Sequence, residues 1–199
     1  MADVMHALEH ALEHALEHAL EHALEHAEDR GELTLHYFDE SGFSQRSALP
    51  YAWSPVRQPL RLPAFSHSRR LNVLGFLSRQ DGFRYHATDG RVTTETVITA
   101  FTQCFGDRPR EKPAVVVLDN AAIHRSARFR QQLEQWQAQR VFVLFLPPYS
   151  PELNRIETLW RTIKYRGLPI QAYQTFESLC REVRTALDRY ASSCQAICV

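Results

Sequence analysis

The sequence predicts a mixed α/β domain in which helices cover a sheet, preceded by a low-complexity helix. Two observations carry that expectation. Short apolar runs bounded by turn residues alternate with longer stretches of helical spacing. Their order is strand, hairpin, helix, strand, helix, strand, helix. The 199 residues are about one domain's worth of chain, and the division expected is residues 1–32 for the leading helix and 33–199 for the domain.

From His6 to Ala27 the chain repeats His-Ala-Leu-Glu, or a close variant, every four residues. Ala, Leu and Glu are strong helix formers, which predicts a helix over roughly residues 4–29. Four residues turn a helix through about 400°, so the leucines spiral around it instead of forming a coiled-coil seam. His6, His10, His14, His18, His22 and His26 stand at i, i+4 spacing, which can bring two imidazoles to one metal ion. The plainer reading is a solvated helix.

Beyond Gly31 the period changes. Leu33–Phe38 reads as a strand running into a turn at Asp39-Glu40-Ser41-Gly42. The Pro-rich stretch 50–63 reads as loop with a short edge strand near Tyr51–Trp53. Leu71–Ser78 and Phe83–Ala87 form a hairpin through Gln80-Asp81-Gly82. Thr93–Phe105 has helical spacing at Val97, Ile98, Ala100, Phe101 and Phe105. Ala114–Leu118, a continuous apolar run, reads as a buried strand. A helix at Ser126–Ala138, a strand at Val141–Leu146, a helix at Asn154–Tyr165 and a last helix at Thr175–Ala191 complete the order.

No apolar run reaches the roughly 18 residues of a membrane span, and no secretory leader pattern opens the chain. Cys104, Cys180, Cys194 and Cys198 include no CxxC pair, so reduced cytosolic thiols are expected. The formal net charge of zero conceals an asymmetry. Residues 1–32 hold nine acids against one base, a net −8, and residues 33–199 carry +8. A body that basic points to a polyanion such as nucleic acid.

Asp39 and Asp119 each follow an apolar run. If those strands are neighbours, both carboxylates emerge at one edge of the sheet, where like charges raise each other's pKa unless a cation intervenes. Mg²⁺ or Mn²⁺ suits such oxygen ligands. Glu157 lies beside the apolar stripe Ile156, Leu159, Trp160 and Ile163 of its helix, so docking can carry it to the same edge. Three acids there suit two ions about 3.5–4 Å apart and in-line phosphoryl displacement. On residue chemistry alone, Glu40 and Glu152 compete for the third place, and a strand-end Asp also serves as a turn or helix cap.

Three blocks extend the reading: Tyr37-Phe38-Asp39-Glu40-Ser41-Gly42-Phe43, then Val117-Leu118-Asp119-Asn120-Ala121-Ala122-Ile123-His124, then Leu146 through Trp160 with Pro147-Pro148-Tyr149-Ser150-Pro151-Glu152-Leu153-Asn154-Arg155-Ile156-Glu157 inside it. Together they resemble the mariner-type DDE transposases, and within that superfamily the bacterial insertion-sequence branch. The resemblance spans roughly residues 33–190. It implies a ribonuclease-H-like fold with a mixed five-stranded sheet, and it assigns Asp39, Asp119 and Glu157 as the catalytic and metal-binding carboxylates over Glu40 and Glu152. It further implies two Mg²⁺ or Mn²⁺ ions, cleavage and strand transfer on double-stranded DNA, TA target dinucleotides, and a bacterial, cytoplasmic, nucleoid-associated protein.

Two departures stand out. The family usually has proline where this chain has Arg155, and slightly reduced activity is the expected cost. Family members also carry an N-terminal helix-turn-helix region, whereas the leading repeat here is acidic. A separate helix-turn-helix protein of the same element is therefore an expected partner, alongside a homodimer. Asn120, His124, Arg125, Arg128, Arg155, Arg161, Lys164 and Arg166 are candidate DNA contacts, because phosphate neutralisation dominates affinity. The competing expectations are a catalytically inactive DNA-binding or assembly remnant, and a metal-binding or oligomerising histidine helix.

Overall fold

The computed structural model describes residues 18–46, 56–58, 68–147 and 153–197. The elements are α1 (18–29), β1 (Thr34–Ser44), β2 (Arg70–Ser78), β3 (Gly82–Thr88), α2 (Thr94–Phe105), β4 (Ala114–Leu118), α3 (Ala127–Ala138), β5 (Val141–Phe145), α4 (Ile156–Thr162) and α5 (Phe176–Ile197). One five-stranded sheet runs in the order β3-β2-β1-β4-β5. The hairpins β1–β2 and β2–β3 are antiparallel, while β1–β4 and β4–β5 are parallel, so the sheet is mixed.

Alternation along β1 sorts the core into two layers. Leu35, Tyr37 and Phe43 face a cluster with Leu159, Trp160, Leu179 and Leu187 of α4 and α5. Phe38 faces the other side, with Phe101 of α2 and Phe129 and Trp136 of α3. Local chemistry fixes the ends of that second layer. Thr93 caps α2 in a reciprocal box with Thr96, and the Ser126 hydroxyl accepts from Phe129 N to start α3.

The first strand is longer than its sequence predicts. The stretch Asp39-Glu40-Ser41-Gly42 is strand, not turn, because β2 pairs with it from His36 opposite Ser78 to Ser44 opposite Arg70. Gly42 supplies room here: a Cβ at that position would lie 1.6 Å from Arg70 Nε, whose side chain crosses over it. Asp39 therefore sits in mid-strand. The helix expected to run to Tyr165 stays α-helical only to Thr162 and then widens into a π turn, Ile163–Gly167. The edge strand expected near Tyr51–Trp53 lies outside the described residues, as does Glu152.

The close of the repeat does not run free in solvent. Leu24 packs on the α4/α5-side cluster. Glu28 is 3% exposed, and its Oε1 accepts from Leu35 N at 3.0 Å. Arg79 Nη2 stands 3.2 Å from the other Glu28 oxygen. The rest of the predicted helix, before residue 18, lies outside the described residues. Among the described residues no helix is long and apolar enough to cross a membrane, and none of Cys104, Cys180 and Cys194 is in a disulfide.

A second polar cluster closes the same end of β1. His36, buried in the sheet, lies 3.2 Å from Asp81 Oδ2, to which Arg110 Nη2 also donates at 3.0 Å. Burial pulls the His36 pKa down, so the ring is a neutral donor. That hydrogen bond, with the Arg110 charge, holds the Asp81 carboxyl down at about 2.

Two outcomes follow from this packing. Gly75 faces Trp160 so closely that a Cβ would lie 2.6 Å from the indole ring and 2.9 Å from Ile156 Cδ1. Gly75→Val should therefore cost about 1–3 kcal/mol by forcing α4 off the sheet, read as a lower denaturant midpoint. Asp81 has a folded pKa below its unfolded value of about 3.9. Its stabilisation is complete above that unfolded value and is lost as pH falls toward about 2. Asp81→Asn should cost about 1–2 kcal/mol at neutral pH and flatten the acid limb of stability between about pH 4 and 2.

Candidate active site

Parallel pairing sets the level of the first two acids. Tyr37 stands opposite Val117, and the same register continued two residues brings Asp39 level with Asp119. The conditional reading of the sequence, that the two strands are neighbours, is met. Alternation then splits Asp39 from Glu40. Asp39 shares the α4 face with Tyr37 and Phe43, and Glu40 points to the α2/α3 face with Phe38.

Helix α4 delivers the third acid. Gly75 is the cross-strand partner of Asp39. Its missing side chain lets Trp160 and Ile156 settle on the sheet there. Burial of Ile156, Leu159 and Trp160 stabilises the docking by roughly 1.5–3 kcal/mol per side chain. Asn154, buried just ahead of the helix, donates from Nδ2 to Phe38 O at 3.0 Å. Its own carbonyl accepts from Glu157 N at 3.0 Å. One residue, through its side chain and its backbone carbonyl, thus ties the first turn of α4 to the residue preceding Asp39. In sequence Asn154 reads as a helix start; its hydrogen-bond partner lies in a strand 116 residues earlier.

The carboxylates feel one another. Burial, then the charge of Glu157, and less strongly those of Glu40 and Asp119, push the Asp39 carboxyl up to about 7 against the pull of the Glu40 backbone N–H. Lys164, on the π turn, lies close enough to Glu157 and Asp39 to be favoured by them, although burial and Arg70 pull its pKa down. A π turn is a common device for aiming a side chain at a site.

His124 holds the fourth carboxylate, one that the resemblance sets aside. It is 1% exposed, and its ring nitrogens lie 2.9 Å from Asp119 Oδ1 and 3.0 Å from Glu40 Oε1. Burial opposes its charge, but hydrogen bonds to both carboxylates outweigh it and lift the pKa to about 9. The ring is thus an imidazolium donating from both nitrogens. That bond in turn lowers the Asp119 pKa, and Ala121 N donates to the same Oδ1 at 3.1 Å. Asp119 remains 54% exposed. Both His124 nitrogens are thus engaged by carboxylates. Strand parity was the signal for this: it sends Glu40 to the face opposite Asp39.

The other candidates differ in exposure and pairing. Asn120 is half-buried beside Asp119, and Arg125, Arg161 and Arg166 are exposed. Arg128 is exposed but its Nε donates to Glu95 Oε1 at 2.8 Å. Arg155 meets the leading helix: its guanidinium pairs with Glu25 and lies 3.8 Å from Glu21, over the Tyr37 ring.

As a cation site, the edge supplies hard oxygen donors with an excess of negative charge, the donor chemistry that Mg²⁺ or Mn²⁺ takes. Among the described residues, no three His, Cys, Asp or Glu side chains are gathered so as to hold one ion together. Asp119 is bonded to His124 in this arrangement.

The model of the DDE superfamily endonuclease family matches residues 34–180. No curated protein sequence matches the chain. Among solved structures, the catalytic domain of Mos1 mariner transposase aligns with a TM-score of 0.50 at 14% identity, covering 90% of this chain and 90% of that one. The Mos1 transposase paired-end complex with left transposon end gives 0.46 at 12% identity, over 87% of this chain and 57% of that one. A chain of the simian T-cell lymphotropic virus intasome in complex with PP2A regulatory subunit B56 gamma gives 0.45 at 14%, over 77% and 46%. The chain spans about half the length of the latter two. At such identities the likeness is one of fold, and the fold is ribonuclease-H-like.

Removing the imidazolium should unpair two carboxylates at once. His124→Ala is expected to lower stability by about 2–3 kcal/mol at neutral pH, measured as a shifted urea midpoint with an unchanged m-value.

Proposed function

We propose that this chain, which belongs to the DDE superfamily endonuclease family, is the catalytic domain of a DNA transposase of the bacterial insertion-sequence branch, with Asp39, Asp119 and Glu157 as its catalytic carboxylates. The observation that carries the reading is the meeting of β1, the end of β4 and α4, where the β1–β4 register brings Asp39 level with Asp119, Asn154 ties the first turn of α4 to Phe38, and Asp39 feels the charges of Glu157 and Asp119. The division into a leading helix, residues 1–32, and a catalytic domain, 33–199, belongs to the same proposal.

Asp39, Asp119 and Glu157 would hold two Mg²⁺ or Mn²⁺ ions. Bound there, the ions supply a nucleophile at neutral pH and stabilise the attacking and leaving oxygens of an in-line displacement. The protein's own part is positioning. Asn154 fixes Glu157 relative to Asp39, the β1–β4 register fixes Asp39 relative to Asp119, and His124 orients Asp119 from behind. Arg125, Arg161 and Arg166 offer exposed charge to duplex DNA. Cleavage leaves a 3′-hydroxyl, which attacks target DNA, at TA dinucleotides on the resemblance, without a covalent protein intermediate.

End recognition falls on this reading to a helix-turn-helix partner from the same element, because α1 carries Glu21, Glu25, Glu28 and Asp29 and repels phosphate. A homodimer and a cytoplasmic, nucleoid-associated location complete it.

A second reading, an inactive remnant that keeps DNA binding or assembly, is favoured by the hydrogen bond that already engages Asp119 with His124, and among the described residues no three-ligand group forms. Incubation of the full chain with supercoiled plasmid and duplex oligonucleotides in Mn²⁺ or Mg²⁺ separates the two. The active reading expects nicking that falls about 100-fold or more in Asp119→Asn and in Glu157→Gln, and is unchanged in Glu152→Gln. Nicking that survives both carboxylate changes overturns the assignment, and no nicking in either metal selects the remnant.

A further inference from the structure

We propose that the docked end of the repeat helix is a binding site for a borderline divalent transition metal, Zn²⁺, Ni²⁺ or Cu²⁺, chelated by His22 and His26. The two residues are one helical step of i, i+4 apart, which stacks their side chains on the same face about 6 Å along the axis. Their rings are already adjacent, with centroids 4.4 Å apart and planes at 74°. Both are exposed.

Docking of α1 is what makes that stripe available. The helix turns Leu24, Glu25 and Glu28 toward the body, where Leu24 packs on the core, Glu25 pairs with Arg155 and Glu28 accepts from Leu35 N. The face opposite those anchors carries His22 and His26. The rings thus project from a helix held against a folded domain, which lowers the ordering cost that a free helix would incur on chelation.

Ligand chemistry separates this site from the carboxylate edge. Imidazole nitrogens suit zinc, copper and nickel, whereas Mg²⁺ and Mn²⁺ take oxygen donors. Among the described residues no third His, Cys, Asp or Glu joins the pair, so water fills the other coordination positions and the ion exchanges readily. Because the chelate exists only when residues 22–26 are helical, the metal stabilises α1 and its docking by mass action. The inference stands independently of the proposed transposase activity.

The test uses the full chain with His6, His10, His14 and His18 replaced by Ala, a change that preserves helix propensity and leaves the one pair in this helix. Calorimetric titration with Ni²⁺ at pH 7.5 is expected to show one ion per chain and a raised melting temperature, with no response to Mg²⁺. Adding His26→Ala is expected to weaken Ni²⁺ binding roughly tenfold or more, since a single imidazole loses the effective concentration of the chelate, and to abolish the thermal shift. Failure of the four-substitution chain to bind Ni²⁺, or undiminished affinity after His26→Ala, overturns the proposal. In the wild-type chain, His22→Ala with His26→Ala should lower the number of Ni²⁺ ions bound, and an unchanged number likewise overturns it.

Discussion

Parallel pairing of β1 with β4 is the constraint on which the rest of this molecule depends. A one-residue slip would carry Asp39 to the opposite face of its strand relative to Asp119. The buried run Ala114–Leu118 makes such a slip costly, because Ala114, Val116 and Leu118 belong to one core layer and Val117 to the other. Register here is enforced by hydrophobic sorting, and the acids inherit their relative position from it. The order of the sheet, with the antiparallel hairpin on one side of β1 and the parallel strands on the other, puts this pair at its centre.

Concentrating negative charge at one edge needs compensation, and the protein meets that need unevenly. On the α2/α3 side, the buried imidazolium of His124 neutralises Glu40 and Asp119 together. On the α4 side no cationic side chain pairs with Asp39 among the described residues; burial, and then Arg70, disfavour the charge of Lys164, which Glu157 and Asp39 favour. Asp39 is accordingly the acid whose ionisation is most disfavoured. The imbalance leaves the α4 side as the place where an added cation relieves most repulsion.

Much of this was legible in the sequence wherever one local signal spoke alone. The five apolar residues of β4, the Thr93 and Ser126 helix starts and the β2–β3 hairpin emerge within a residue or two of expectation. Asp39-Glu40-Ser41-Gly42 misled because its composition is that of a turn, while the deciding fact, a nine-residue partner strand, lies elsewhere in the chain. The role of Gly75 was illegible for the same reason: only the arrival of Trp160 gives that glycine meaning. The three acids were named from motif resemblance, whereas the Glu40–His124–Asp119 bridge needed two strands, a loop and knowledge of which way each side chain faces. Arg155 shows the limit from the other side, since a basic residue in a promising place was claimed by acids of the leading helix.

That leading helix raises a question of alignment peculiar to self-similar chains. A four-residue repeat presents the same Leu and Glu pattern after every slide of one unit, so leucine packing and the glutamates facing Arg155 do not by themselves define where it stops. Glu28 breaks the phase set by Glu13, Glu17, Glu21 and Glu25, and it is the acid that reaches Leu35 N and Arg79. It works as an index pin on a ruler of identical marks. Whole units gained or lost upstream would change the number of repeats while leaving the seat of Glu28 untouched, a tolerance to repeat-number variation that a uniform repeat would lack.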